Sequence, residues 1–357
     1  MSHHGSGPDM PGNARPSIMN TSAPPIDEAE AEALARRVFG VDAQARMLTS
    51  ERDRNFQMVA DDGRAFVLKV TNAAEDPGVS HFQTAALRHI EAVRPDLPVP
   101  KICPSREGEY EVVARIAAGS DHLVRLLTYL PGEPLYRTAS SPAQVGNLGR
   151  CLAELGLALR GFRHPAAAHD ILWDLKGAAR LRPTLAHIAD DHRRALADAA
   201  LSRFETTILP RLPAFRSQVV HNDFNPHNVL VDARHPATVT GVLDFGDMVE
   251  TPLVVDVAVA TSYQVEGTDP LGRAAAFVGA YHAVSPLRRE ELDVLFDLIA
   301  LRQAMTVTIT EWRATLYPDN RAYILRNQPR AAAALETLNR IGREAGTARL
   351  RQACDME

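Results

Sequence analysis

Apolar, β-branched residues gather in three short runs between residues 219 and 248, VVHNDFNPHNVLVDARHPATVTGVLDFGDM, and leave two polar islands between them. Val219-Val220, Val229-Leu230-Val231 and Val239 to Leu243 each read as a short buried strand. Such side chains pack well on a pleated surface, and polar or turn residues bound every run. The islands at the strand mouths, His221-Asn222-Asp223-Phe224-Asn225-Pro226-His227-Asn228 and Asp244-Phe245-Gly246-Asp247, are what the pattern leaves to be explained.

The same reading organises the rest of the chain. Acidic residues open a helix after Ile26, and Gly40 ends it beyond Arg36-Arg37. Ala45 to Leu48, Asn55 to Ala60 and Arg64 to Val70 read as strands, the last two joined at a turn by Asp61-Asp62-Gly63. A helix is expected over 78–93, strands over 98–104, 111–116 and 122–130, and a long amphipathic helix over 142–162. The cluster Ile171-Leu172-Trp173-Asp174-Leu175-Lys176 reads as a helix start with Trp173 packed in the core, and helices are expected through 184–209. Beyond Met248, helices are expected over 253–265, 271–283, 288–315 and 330–344, the last closing the fold. Asp256 interrupts an apolar face, which suits a structural aspartate bonding backbone amides of the loop that holds Asp223.

Composition narrows the partners. With 357 residues, 45% of them apolar and 23% charged, the chain can bury a sizeable core in one large or two modest domains. A net charge of −5 gives no electrostatic reason to expect nucleic acid or an anionic membrane, so a small molecule is the expected partner. Cys103, Cys151 and Cys354 are too scattered for a disulfide framework, which together with the lack of an apolar leader points to the cytoplasm. Residues 1–22 are expected to be a disordered tail.

Three side chains of the islands match one chemistry. Phosphoryl transfer needs a carboxylate to orient and deprotonate the attacking hydroxyl, and oxygen ligands to hold Mg2+ on the phosphates. Asp223 suits the first task, and Asn228 with Asp244 the second, since Mg2+ takes hard oxygen ligands and keeps several waters. Gly246 is expected to let the backbone turn sharply there. Two other readings compete. His221, Asp223 and His227 could ligate zinc or iron, which leaves Asn228 and the second island without a purpose. A nucleotide binder without catalysis would lack one of the three residues, and none is missing.

The paired H-x-D-x-x-x-x-N and D-F-G motifs resemble the kinase-like phosphotransferases, a group that includes aminoglycoside phosphotransferases, choline kinase and homoserine kinase. SERDRNF, WDLK, LDFGDM and TVTITEWRA look most like the hydroxylysine kinase branch and the phosphotransferase domains fused to class III aminotransferases. The resemblance spans roughly residues 27 to 345. It implies an α+β, bilobal protein-kinase-like fold: an N-terminal nucleotide-binding lobe over 23–130, a small antiparallel sheet with one helix, then a larger, mainly helical lobe over 131–350. The alternation of strands and helices is not that of a doubly wound parallel sheet.

The resemblance also implies ATP or GTP as co-substrate and roles for further residues. Lys69, a lysine inside an apolar strand that needs an anionic partner, matches the kinase lysine on the phosphates; the other reading is a strand lysine reaching the surface. Ser50, in a phosphate-covering loop that is not glycine-rich, would touch phosphates, unless that loop is only a charged hairpin in solvent. Tyr129 and Leu130 would form the hinge that meets the base. The helix over 78–93 lacks the glutamate that orients the lysine in kinases, so Gln83, Glu75 or Glu91 is left to do so.

For the acceptor, Asp247 and Glu250 could hold an ammonium, and Trp312, on a helix otherwise built for burial, is a further candidate to touch the substrate. Arg302 could hold a carboxylate or make an internal salt bridge to Asp256 or Glu311. No A-P-E-like activation segment comes after Asp244, which argues against a protein acceptor. An amine, a carboxylate and a hydroxyl describe a hydroxylated amino acid or amino alcohol. The alternative is an aminoglycoside- or peptide-type antibiotic, and the chain is expected to be a monomer or homodimer.

Overall fold

Asp27 accepts a hydrogen bond from the Glu30 N–H at 2.9 Å and Gly40 turns left-handed at φ 68°, and these two residues bound the first helix, α1 (Glu28–Phe39). The computed structural model describes residues 23–50 and 53–356. The expected disordered tail, 1–22, and residues 51 and 52 of the expected phosphate-covering loop lie outside the described residues.

The chain divides into two compact units, one of residues up to Arg88 with Pro100–Tyr129, the other of His89–Val99 with Leu130 onward. In the first, β1 (Ala43–Leu48), β2 (Arg54–Ala60), β3 (Ala65–Val70), β4 (Ile102–Cys103), β5 (Val112–Arg115) and β6 (Asp121–Thr128) form an antiparallel sheet. Its order is β1-β2-β3-β6-β4, with β5 also on β6. Helix α2 (Pro77–Val93) lies between β3 and β4 in sequence.

Burial alternates along β3: Phe66, Leu68 and Val70 are buried with Phe56 and Met58 of β2 and Leu34 of α1, as the period of two predicts. Burying each such side chain contributes about 1.5–3 kcal/mol. The same alternation turns Lys69 to the other face. The strand expected over 98–104 shrinks to two residues, because Pro98, Pro100 and Pro104 have no N–H to give a ladder.

The second unit is mainly helical. It contains β7 (Glu133–Pro134), α3 (Pro142–Ala158), α4 (Asp191–Arg203), β8 (Ser217–Val220), β9 (Val229–Val231), β10 (Val239–Val242) and β11 (Val249–Pro252). After these come α5 (Leu253–Ser262), α6 (Pro270–Val284), α7 (Arg289–Leu316), the short α8 (Arg321–Ile324), α9 (Gln328–Ile341) and α10 (Arg343–Gln352). Apolar α7 is the hub, touching α4, α5, α9 and α10. Residues 175–187, expected to be helical in part, form a run of 3-10 turns, since Pro183 removes a donor. The helix expected to close the fold ends at Gly342, but α10 restarts at once. No helix among the described residues is long and apolar enough to cross a membrane.

Candidate active site

Two strand pairs carry the polar islands. β8 pairs antiparallel with β11, and β9 with β10, so the loop of residues 221–228 links the two pairs. Its first turn is forced: Asn222 is left-handed at φ 62°, a conformation that costs a non-glycine residue energy and persists where neighbours over-determine it. The neighbour is Asp256 on α5, whose Oδ1 accepts the Asn222 N–H at 2.7 Å. Asp256 is thus the structural aspartate expected from the sequence. Burial pushes its carboxyl up to about 7, against the pull of that N–H.

His221 locks the same loop. Its Nε2 lies 2.9 Å from the Leu243 carbonyl and its Nδ1 accepts the Asp223 N–H at 3.2 Å, a pairing that requires the Nε2–H tautomer. Burial lowers its pKa, so the ring stays neutral against Phe245, centroids 4.9 Å apart. Both nitrogens are spent, which removes His221 as a ligand of zinc or iron. Among the described residues no cluster of three or more His, Cys, Asp or Glu could hold a metal.

The Asp223 carboxylate is gripped from two sides. Oδ2 accepts from Asn225 Nδ2 at 2.8 Å and from Asn228 Nδ2 at 2.7 Å, while Oδ1 lies 3.4 Å from Arg302 Nη2. Burial raises the Asp223 carboxyl and the nearby Asp247 charge adds to it; Arg302 and Asn225 oppose, and the balance lies at about 7. With 19% of the side chain accessible, the group is walled in yet open to an acceptor. A carboxylate held by amide donors, with lone pairs left over, can orient a hydroxyl and take its proton. Asn225, which also accepts the His227 N–H at 2.7 Å, was not singled out in the sequence.

Asn228 donates through Nδ2 to Asp223, so Oδ1 is the atom of this amide that could meet a cation. Asp244 is exposed, and Oδ1 accepts the Gly246 N–H at 3.1 Å. The sharp turn expected of Gly246 is made by Asp244 itself, left-handed at φ 57°. Gly246 instead provides room, because a Cβ there would stand 2.9 Å from Asp244 Oδ1. One exposed carboxylate and one amide oxygen are a donor set suited to Mg2+.

Arg302, on α7, is 3% exposed. Neither Asp256 nor Glu311 is its partner. Nη1 donates to the Trp173 carbonyl at 3.0 Å, Nη2 lies 3.5 Å from the Tyr263 hydroxyl as well as near Asp223, and the guanidinium sits over the Trp173 ring. Nε has no hydrogen-bond partner among the described residues. Trp173 is therefore a half-buried shelf under Arg302, not a core residue, and its neighbour Asp174 accepts from Thr251 Oγ1 of β11 at 3.0 Å.

Asp247 is close enough to act on both Asp223 and Arg302. Glu250 lies on β11, where its carbonyl accepts from Lys176 Nζ at 2.6 Å. Trp312 sits ten residues beyond Arg302, about 15 Å along α7, so the helix separates these two residues.

In the first unit, Lys69 Nζ lies 2.9 Å from Asp53 Oδ2. Gln83 is turned elsewhere: its Oε1 accepts from Arg125 Nη2 at 3.2 Å, beside Thr84. Ser50 is half-buried near the start of the β1–β2 connection, two residues after β1, and the Tyr129 N–H donates to the Ala65 carbonyl at 3.0 Å. In the second unit, half-buried Leu130 lies near Gly241.

The profile of the phosphotransferase enzyme family matches residues 47–295. The chain is 29% identical to hydroxylysine kinase of Mus musculus, over 91% of this chain and 92% of that one, and 26% identical to hydroxylysine kinase of Xenopus laevis, over 94% and 96%. Homoserine kinase of Methylobacillus glycogenes is 34% identical over 42% of this chain and 46% of its own. The fold is shared with a microcompartment-associated aminopropanol kinase, TM-score 0.69 at 20% identity, covering 90% of this chain and 99% of that one. It is also shared with an amicoumacin kinase, TM-score 0.65 at 14% identity, covering 86% of this chain and 94% of that one. The α+β, kinase-like fold expected from the motifs is the one observed.

Proposed function

The chain belongs to the phosphotransferase enzyme family, and on that premise we propose that it transfers the γ-phosphate of ATP or GTP, with Mg2+, to a hydroxyl of a hydroxylated amino acid or amino alcohol. The observation that carries this reading is the grip on Asp223: two amide donors on one oxygen, Arg302 at the other, in a loop fixed by Asp256 and His221.

Asp223 orients the acceptor hydroxyl and takes its proton as the oxygen attacks phosphorus. Asn228 Oδ1 and Asp244 would hold Mg2+, which when bound neutralises charge on the transferring phosphates. Lys69 serves the nucleotide phosphates, with Ser50, Tyr129 and Leu130 at the nucleotide. On the acceptor side, Asp247 with Glu250 would meet an ammonium and Arg302 a carboxylate, Trp173 supporting it from below and Trp312 farther along α7.

The full-length relatives named hydroxylysine kinase support this acceptor class. An aminoglycoside, rich in ammonium groups, is disfavoured by a buried arginine 3.4 Å from the catalytic carboxylate. The test is nucleotide consumption by hydroxylysine, homoserine, choline, ethanolamine and aminoglycosides, each with ATP and with GTP. Turnover with hydroxylysine or a close amino alcohol is expected, and turnover with aminoglycosides alone would refute the proposal.

A further inference from the structure

The helix that should supply an acid for Lys69 has none on its inner face, and the residues there are already engaged. Arg125, 2% exposed on β6, takes them: Nη1 reaches the Ser80 carbonyl at 3.2 Å and Thr84 Oγ1 at 3.4 Å, and Nη2 takes Gln83 Oε1 at 3.2 Å. Arg125 is also the direct cross-strand partner of Lys69, so two cations share one face of the sheet. Left alone, they repel, and the flexible lysine would swing away.

We propose that Asp53, immediately before β2 and at the middle of SERDRNF, is the positioning residue for Lys69, doing from a loop what a helix glutamate does elsewhere. The inference rests on the reading that Lys69 serves the nucleotide phosphates. Asp53 Oδ2 lies 2.9 Å from Lys69 Nζ, and Oδ1 accepts the Asn72 N–H at 2.9 Å, so the carboxylate is pinned at both ends. With side chains 22% and 13% accessible, the pair is sheltered from the water that makes surface ion pairs weak. Burial alone would push the Asp53 carboxyl up; Lys69 and the Asn72 N–H more than offset this and hold it below the ordinary range. The arrangement ties the backbone at Asp53, just before β2, to the lysine.

The test is calorimetric binding of non-hydrolysable ATP and GTP analogues with Mg2+ to the full chain. Lys69→Met, Asp53→Asn and the double variant are compared, each shown by its melting transition to be folded. Asp53→Asn should weaken binding about ten-fold and Lys69→Met about thirty-fold, and the double variant should be within about two-fold of Lys69→Met alone, because one residue acts through the other. Additive losses in the double variant, or full-strength binding by Asp53→Asn, would overturn the role of Asp53 while leaving that of Lys69 intact. Undiminished binding by Lys69→Met would instead overturn the nucleotide reading of Lys69, and the inference with it. Asp53→Glu keeps the charge and covers a failure of the asparagine variant to fold. It should lose less than about three-fold, and a loss equal to that of Lys69→Met would contradict the proposal.

Discussion

The loop of residues 221–228 and the surroundings of Lys69 both hold a charged side chain in a fixed geometry, but they do it differently. Around Asp223 most partners lie in the same short segment: His221, Asn225 and Asn228 are all within five residues, and each bond is local. Around Lys69 nothing is local. Its acid comes from Asp53, just before the neighbouring strand β2, and the helix that should have served it is occupied by Arg125. A charge held by its own loop can be read as a motif, whereas a charge held across a sheet can change its partner while the motif looks merely incomplete.

A large effect is expected on the local side of this comparison. Asp244→Ala removes the exposed carboxylate of the cation pair, and turnover should fall about a thousand-fold, partly recoverable with raised Mg2+. A Mg2+ titration of initial rates checks this, and unchanged turnover would break the idea that the second island serves the phosphates.

Next is the anchor of the loop. Asp256→Ala leaves the left-handed Asn222 N–H buried without an acceptor, at a cost of about 1–3 kcal/mol in a denaturant melt. The Asp256 carboxyl sits at about 7 in the folded chain, against an ordinary value of 3.8. Between those values the folded state keeps a proton that the unfolded chain has released, so this group's contribution makes stability fall as pH rises from about 4 to about 7. The alanine variant should lose that slope.

A smaller change sharpens the other side. Gln83→Glu restores an acid to α2, but the nearest cation is Arg125, so nucleotide affinity should shift by less than about three-fold and Asp53 should remain necessary. A large gain in affinity from this single substitution would show that the helix still commands Lys69.

The smallest effect is in pH dependence. With burial and Asp247 raising Asp223 and Arg302 opposing them, the acidic limb of kcat/KM should rise with pH through about 7, as Asp223 ionises. Arg302→Gln removes the opposing charge, and the limb should move to higher pH.

These contrasts also explain what could be read from the chain. Strands rich in β-branched residues, the helix bracketed by Asp27 and Gly40, and the structural role of Asp256 were legible, since each rests on neighbours in sequence or on an obvious misfit of polarity. β11 was not, because Val249-Glu250-Thr251-Pro252 is short and ends in proline, and it is a strand only through its pairing with β8. The break of 175–187 into 3-10 turns and the restart of a helix at Arg343 came from Pro183 and Gly342, residues that mark where a helix fails but not which structure replaces it. Arg302 was found by its misfit on an apolar helix, yet its partners were not: one is a carboxylate 79 residues away, another a backbone carbonyl that any residue at 173 would present.

The central claim is that Asp223 serves an acceptor hydroxyl and not the nucleotide. Phosphorus NMR of hydroxylysine incubated with ATP or GTP and Mg2+, with the wild type and Asp223→Asn run in parallel, tests it most directly. The account predicts a phosphate monoester on the side-chain hydroxyl from the wild type, formed about a thousand-fold more slowly or not at all by a variant that still binds nucleotide. Monoester formed at an undiminished rate by Asp223→Asn, or only inorganic phosphate from the wild type, would contradict it.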